Sequence, residues 1–289
     1  MMWEHLKQEQ KEKYKTLITN FASLSEAFSQ KAEGDDSDDR ESYVAPIVNS
    51  KFQETVFQKA FHAVGEDIAN TSYDASVVVD EQHKYLVGIK SFGLESGDQK
   101  IAQFKKDSQS WNELLSEIRF QADISPDKET ADKENRARYE KLAREIATLR
   151  NQRIESSKAL IKGFHSDASH VEAVYHVLMP TSKGHKPQIH VGETTYLPVD
   201  LDNLKILGST TKNNPTNFRF TDGQHDYKYT AADSQLHMTF RNREIVVDTW
   251  DVNYVEDPFY LFEHLHLLTS EKSDSEILET VSWVITDKH

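Results

Sequence analysis

Two short apolar runs joined by a polar turn constrain this chain most. Tyr73 to Lys105 reads YDASVVVDEQHKYLVGIKSFGLESGDQKIAQFK. Val77, Val78 and Val79 are consecutive and β-branched, the pattern of a buried strand. Asp80 to Lys84 is polar and turn-like, and Tyr85 to Phe92 is apolar again. Asp74 stands where the first run begins. Lys90 interrupts the second, followed by Ser91 and Phe92. Lysine is rarely buried without a partner, so a lysine inside an apolar strand calls for a reason. A nearby aspartate offers one: the acid binds a divalent metal, and the lysine orients or deprotonates an attacking water. The bland counterpart is a turn-capping Asp and a snorkelling edge Lys.

The stretch resembles the active-site hairpin of the PD-(D/E)xK nuclease superfamily, best known from type II restriction endonucleases. That family carries an acid near its first strand and an acid-x-lysine triplet on its second. Asp74 matches the first acid and Lys90 the lysine. The triplet here is Gly88-Ile89-Lys90, so the second acid is absent. The resemblance covers about residues 50 to 106. It implies a relocated carboxylate: Glu54, on a helix preceding the hairpin, is favoured over Glu95, between Gly93 and Gly97. It also implies Mg²⁺ held by Asp74, Glu54 and the Ile89 carbonyl, with Lys90 acting on the water. The implied partner is double-stranded DNA and the implied assembly a homodimer. Ser91, Gln99, Lys100 and Gln103, near Lys90 in sequence, are the first candidates for substrate contact.

Apolar spacing sets helices around this hairpin. Trp3, Leu6, Tyr14, Leu17, Ile18, Phe21, Leu24 and Phe28 predict a helix or helix pair over residues 1–30. Lys51 to Asn70 reads as a helix, with Phe52, Val56, Phe57, Ala60 and Phe61 on one side. Gln99 to Phe104 reads as the opening of a helix or a short turn, and Asp107 to Phe120 as a helix. Lys128 to Lys162 is the longest helical pattern, begun by Pro126-Asp127 and stopped by Gly163. It holds ten bases against six acids, which makes it the first candidate for phosphate contact. Within it Arg150, Asn151 and Arg153 have the donors that pair with guanine and adenine edges.

From Val171 the texture is that of short strands. Asp222-Gly223 signals a hairpin between Phe218/Phe220 and Tyr227/Tyr229. Two loops, one with Lys183, His185 and Lys186 and one with Lys212, Asn213 and Asn214, are placed to read bases. Phe259 to Leu268 reads as a helix, followed by an apolar segment around Ile277 to Ile285. The expected fold is therefore α/β: a central mixed sheet flanked by helices, restriction-endonuclease-like, with a β-rich C-terminal extension. Residues 1–165 hold the helical N-terminal region, the hairpin and the basic helix, and 166–289 complete the same domain.

The net charge of −14 opposes binding to a polyanion. Part of it is concentrated in Glu33 to Glu41, and net charge is not distribution. There are no cysteines, which excludes disulfides and thiolate chemistry. No apolar run is long enough to span a bilayer and no signal-peptide core is visible, so a cytoplasmic protein without a membrane partner is expected. Phosphate-binding glycine loops and the nucleophile elbow of serine hydrolases are absent. The leading expectation is a Mg²⁺-dependent, sequence-specific endonuclease. The alternative is a non-catalytic nuclease-like module that binds nucleic acid or a protein.

Overall fold

The computed structural model describes residues 1–28, 43–65, 72–160 and 171–265, with side chains of the long helix described as far as residue 157. The acidic run Glu33–Glu41, Lys162, Gly163 and the apolar segment Ile277–Ile285 lie outside the described residues.

The chain opens with α1 (Met2–His5), α2 (Gln8–Ala22) and a 3₁₀ turn over Ser25–Phe28. Next comes α3 (Ser50–Phe61), capped by Asn49, whose side chain accepts from the Phe52 N–H at 2.9 Å. The sequence pattern carries this helix on to Asn70. It ends instead at Phe61, because His62 adopts a left-handed conformation (φ 54°) that closes the last turn.

The first sheet follows. Its strands are β1 (Val64–Gly65), β2 (Ala75–Val78) and β3 (Lys84–Ser91), and later β5 (Val171–Pro180), β6 (Gln188–Thr195) and β11 (Val246–Asp251), in the order β1-β2-β3-β5-β6-β11. Only β3 and β5 are parallel; the other neighbours are antiparallel. Buried on both faces, β3 needs no alternation, which is why Tyr85 to Ile89 read as an unbroken apolar run. Val87 and Ile89 face α1–α3 in a core with Trp3, Tyr14, Phe57, Phe61, Val191 and Trp250. Leu86 faces the opposite core.

That opposite core lies between the first sheet, a second sheet and two helices. Here α4 (Asn112–Ile124) and α5 (Lys128–Leu160) pack by Trp111, Leu115, Ile118, Tyr139 and Ile146. Asp127 starts α5 by accepting from the Thr130 N–H at 2.8 Å, as Pro126-Asp127 suggests. The second sheet has the order β4-β10-β9-β8-β7, with β4 (Gln99–Gln103), β7 (Lys205–Thr211), β8 (Asn214–Thr221), β9 (Asp226–Thr230) and β10 (Gln235–Met238). The Asp222-Gly223 hairpin joins β8 to β9, and Gly223 takes φ 84° there. Residues 99–103 are thus a strand and not a helix opening. Pairing with β10, some 130 residues away, overrides the local pattern, and Ile101 and Ala102 pack on the core. The two halves of the chain share both sheets: β4 comes from the first half, while β5, β6 and β11 come from the second.

A short helix, α6 (Pro258–His264), ends the described chain. No helix among the described residues is long and apolar enough to cross a membrane.

Candidate active site

The register of β2 and β3 puts Asp74 beside Gly88. Ala75 pairs with Val87, so the next step outward sets Asp74 against Gly88. The Asp74 N–H donates to the Val87 carbonyl at 2.9 Å, and the Ile89 N–H donates to Asp74 Oδ2 at 2.6 Å. Beyond the end of β2 the aspartate side chain takes the place of the missing ladder acceptor. The carboxylate is thereby aimed along β3 at the Gly88-Ile89 peptide, one residue short of Lys90.

Lys90 pairs with Val177 of β5 and is half-buried. By strand alternation it shares the face of Leu86 and Gly88. Ser91 has the opposite parity, and its Oγ lies 3.1 Å from Ser50 Oγ at the start of α3. Glu54, one turn into α3, stands on this second side. Its carboxylate meets Lys51 Nζ at 2.9 Å and is 20% exposed. The structure therefore joins Asp74, Gly88 and Ile89 closely, and leaves Glu54 and Lys90 on opposite faces of one strand. Glu95 is paired with Arg243 on the loop that leaves β3.

The absent acid at position 88 has a steric counterpart. A Cβ there would lie 2.9 Å from both Tyr175 Cδ1 and Tyr196 Cε1. These rings stack at 4.0 Å between centroids, 11° from parallel, and both are buried. The volume that an acid at 88 would occupy is filled with aromatic carbon.

Arg150, Asn151 and Arg153 of α5 all have partners within the protein, and the Arg153 side chain remains 44% exposed. Arg150 is 3% exposed; its guanidinium donates to the Leu197 carbonyl at 2.9 Å and lies over the Tyr196 ring. Asn151 clamps Val199, donating to its carbonyl and accepting from its N–H, both at 2.8 Å. Arg153 donates to the Gln103 carbonyl at 2.6 Å and to Asp107 at 2.9 Å. These side chains fasten α5 to the strands and loops beside it. The DNA contacts expected of Arg150 and Asn151 are therefore corrected: both side chains are spent inside the protein. In the loops, Lys186 pairs with Asp251 at 2.8 Å, and Lys212 Nζ caps the end of α4 at the Ser125 and Pro126 carbonyls.

Of the remaining sequence candidates, Gln99, Lys100 and Gln103 lie on β4, in the second sheet rather than against Lys90. Gln99 Nε2 donates to the Gly97 carbonyl and Gln103 Nε2 to the Asp233 carbonyl. A residue that the sequence pattern does not single out is Asp98, just before β4. Burial alone would raise its carboxyl, but hydrogen bonds from Arg219, Thr239 and Lys228 bring it down to about 2. Those partners come from β8, β9 and the end of β10, so no local spacing announces them. Where the chain leaves β3, a cleft of about 310 Å³ is lined by Leu94, Glu95, Thr239, Arg241 and Asn242.

Among the described residues, no group of three or more His, Asp or Glu side chains is arranged to hold a metal ion. The oxygen donors at the hairpin are the Asp74 carboxylate and main-chain carbonyls, with Glu54 across the strand. This set suits only a cation that keeps its own water ligands. Mg²⁺ is such a cation, since it is commonly bound by one or two carboxylates together with substrate phosphates. Comparison with known proteins gave no matching family model, no matching curated protein and no matching solved structure.

Proposed function

We propose that the chain is a Mg²⁺-dependent endonuclease of double-stranded DNA, acting in the manner of a type II restriction enzyme with a restriction-endonuclease-like core. One observation carries this reading: the Asp74 carboxylate is fixed against Gly88-Ile89 by the Ile89 N–H, one residue short of a half-buried lysine. Asp74 would hold the metal, with the Ile89 carbonyl and the scissile phosphate completing its shell and Glu54 the relocated acid. When bound, Mg²⁺ supplies positive charge to the phosphate and an acidified water. Lys90 orients the attacking water from the Gly88 face of β3. The Ile89 N–H keeps the carboxylate in one orientation, as outer hydrogen bonds do for metal ligands. The proposal includes a homodimer, which lets two equivalent sites meet the two strands of a symmetric target, and a cytoplasmic location.

A second reading has its own observation. Tyr175 and Tyr196 fill the place of the second acid, as they would in a nuclease-like fold kept for binding alone.

Metal binding separates the two. Mn²⁺ titration followed by electron paramagnetic resonance, with duplex DNA present, should show a bound ion in the wild type. Asp74→Asn retains an oxygen for the Ile89 N–H but removes the charge. It should weaken Mn²⁺ by no less than the roughly 10–100-fold that outer-shell losses cost. Glu54→Gln should weaken it comparably. Unchanged affinity in Asp74→Asn contradicts the nuclease reading, and unchanged affinity in Glu54→Gln alone removes Glu54 from the metal shell.

A further inference from the structure

The second sheet carries a row of three cationic side chains and one histidine, whose imidazole is held below its ordinary value by burial, that the candidate active site does not use. Cα partners run in register across four strands: Lys100 on β4, His237 on β10, Lys228 on β9 and Arg219 on β8. The apolar residues between them, Phe218, Phe220, Tyr227, Tyr229, Leu236 and Met238, point into the core, so the row belongs to the outward face. A bulge in β4 keeps this alignment. The register shifts between Leu236 and His237, which lets Ile101 and Ala102 both face the core while Lys100 and Gln103 face out. A parallel row, Gln103–Gln235–Thr230, adds uncharged hydrogen-bonding groups.

Neighbouring strands lie about 4.8 Å apart, so the four positions span about 14 Å. Arg219 and Lys228 are not loose: Asp98 holds both, with their side chains still 39% and 25% exposed. Lys205 lies opposite Thr221 on the same face, and Arg241 pairs with Asp226 at the rim. The face thus has five lysine and arginine side chains against three acids, Asp98, Asp226 and Glu244, in a chain whose net charge is −14. A locally positive surface with pre-positioned cations, on an otherwise acidic protein, matches a phosphate backbone.

We propose that this outward face, centred on the row Lys100–His237–Lys228–Arg219, is where the phosphate backbone of duplex DNA docks. The proposal takes its choice of polyanion from the nuclease reading above and names the surface that reading lacks once Arg150 is buried and Asn151 is bound to Val199.

The test is binding of a fluorescein-labelled duplex in EDTA, followed by anisotropy across a range of salt. Removing one cation that meets a phosphate should flatten the log–log slope by about one unit. Lys100→Ala, at an exposed position, is expected to flatten it by about one unit with an unchanged melting temperature. Lys100→Ala combined with Lys228→Gln is expected to flatten it by about two. Lys141→Ala, on the exposed side of α5, should leave the slope as it is. The proposal is overturned if Lys100→Ala binds with the wild-type slope, if Lys141→Ala flattens it equally, or if the wild type binds no duplex. No cutting is needed in EDTA. A protein that binds duplex through the row but cuts nothing in Mg²⁺ sinks the nuclease reading and keeps this one. A protein that cuts normally with Lys100 and Lys228 replaced does the reverse.

Discussion

Replacing Lys90 by alanine should lower the Mg²⁺-dependent cleavage rate by roughly 10²–10⁴-fold, the range removed with a positioned proton-transfer group. The expected cause is local. Lys90 lies on the Gly88 face of β3, and Asp74 is fixed one residue away at Ile89. The side chain is half-buried and packs at the strand end rather than in the centre of either core. Stability should therefore change by no more than about 0.5 kcal/mol. Lys90→Met, which retains the aliphatic stem, should lose activity equally. Duplex binding in EDTA should be nearly unchanged in both variants. Single-turnover rates near the wild-type value in either variant would take the β2–β3 hairpin out of the chemistry.

The second large effect concerns stability against pH and lies under α1. Glu193 on β6 is in register with His176 on β5, and both are buried beneath Trp3. The Trp3 main-chain N–H donates to Glu193 Oε2 at 2.8 Å, and the Trp3 ring stacks on His176 at 5.6 Å. His176 Nε2 lies 3.2 Å from the Tyr14 hydroxyl. Burial pushes the Glu193 carboxyl up from 4.5 to about 7 and the His176 imidazole down to about 3. Both groups therefore favour their neutral forms in the fold.

A carboxyl raised in the folded state contributes stability that is fully present below about pH 4.5 and lost as pH rises through about 7. The loss approaches about 3 kcal/mol, from the size of that shift at 1.36 kcal/mol per pKa unit. His176 acts in the opposite direction: its contribution is present above its ordinary 6.5 and lost as pH falls towards about 3. Glu193→Gln cannot ionise but keeps an acceptor for the Trp3 N–H. Urea unfolding from pH 5 to pH 9 should show the variant gaining on the wild type by about 3 kcal/mol across that range, while the His176 contribution cancels between them. Parallel stability curves would show that Glu193 is solvated in the folded protein.

The hairpin and its polarity were legible because they are local. Three consecutive valines, a polar turn and a second apolar run place β2 and β3, although of the valines only Val77 is buried: Val78 is 60% exposed and Val79 lies beyond β2. Antiparallel pairing then brings Asp74 to Gly88. The alternation of Phe218/Phe220 and Tyr227/Tyr229 similarly exposes β8 and β9. What escaped was set by distant partners. Gln99 to Gln103 has no strand signature of its own and becomes one by pairing with β10. Arg150 sits in a helix whose charge suggests solvent. Yet the Tyr196 ring and the Leu197 carbonyl, 46 and 47 residues on, enclose its guanidinium. Asp98 reads as a loop acid until Arg219, 121 residues away, closes on it. The cationic row is of the same kind: each member was visible, but only the register across β4, β10, β9 and β8 makes a row of them.

Glu54 shows how far a pattern carried over from a resemblance can reach. A helix does precede the hairpin, and its first residue touches the end of β3 through Ser50 and Ser91. The parity of β3, however, places Glu54 and Lys90 on opposite sides of the strand. Joint action at one metal then requires both to reach around the edge of β3 past Val87, where β2 is no longer paired with it. Asp74, which lies at that edge in the plane of the sheet, is the residue both sides can meet.

The central claim is that the Asp74–Lys90 end of the hairpin cuts DNA with the help of a divalent metal. Digestion of a supercoiled plasmid by the purified chain tests it most directly, with Mg²⁺, with Mg²⁺ plus excess EDTA, and with Asp74→Asn in Mg²⁺. The expected result is a set of discrete fragments in the first reaction and intact plasmid in the other two. Intact plasmid in all three reactions, or equal cutting by Asp74→Asn, would contradict it.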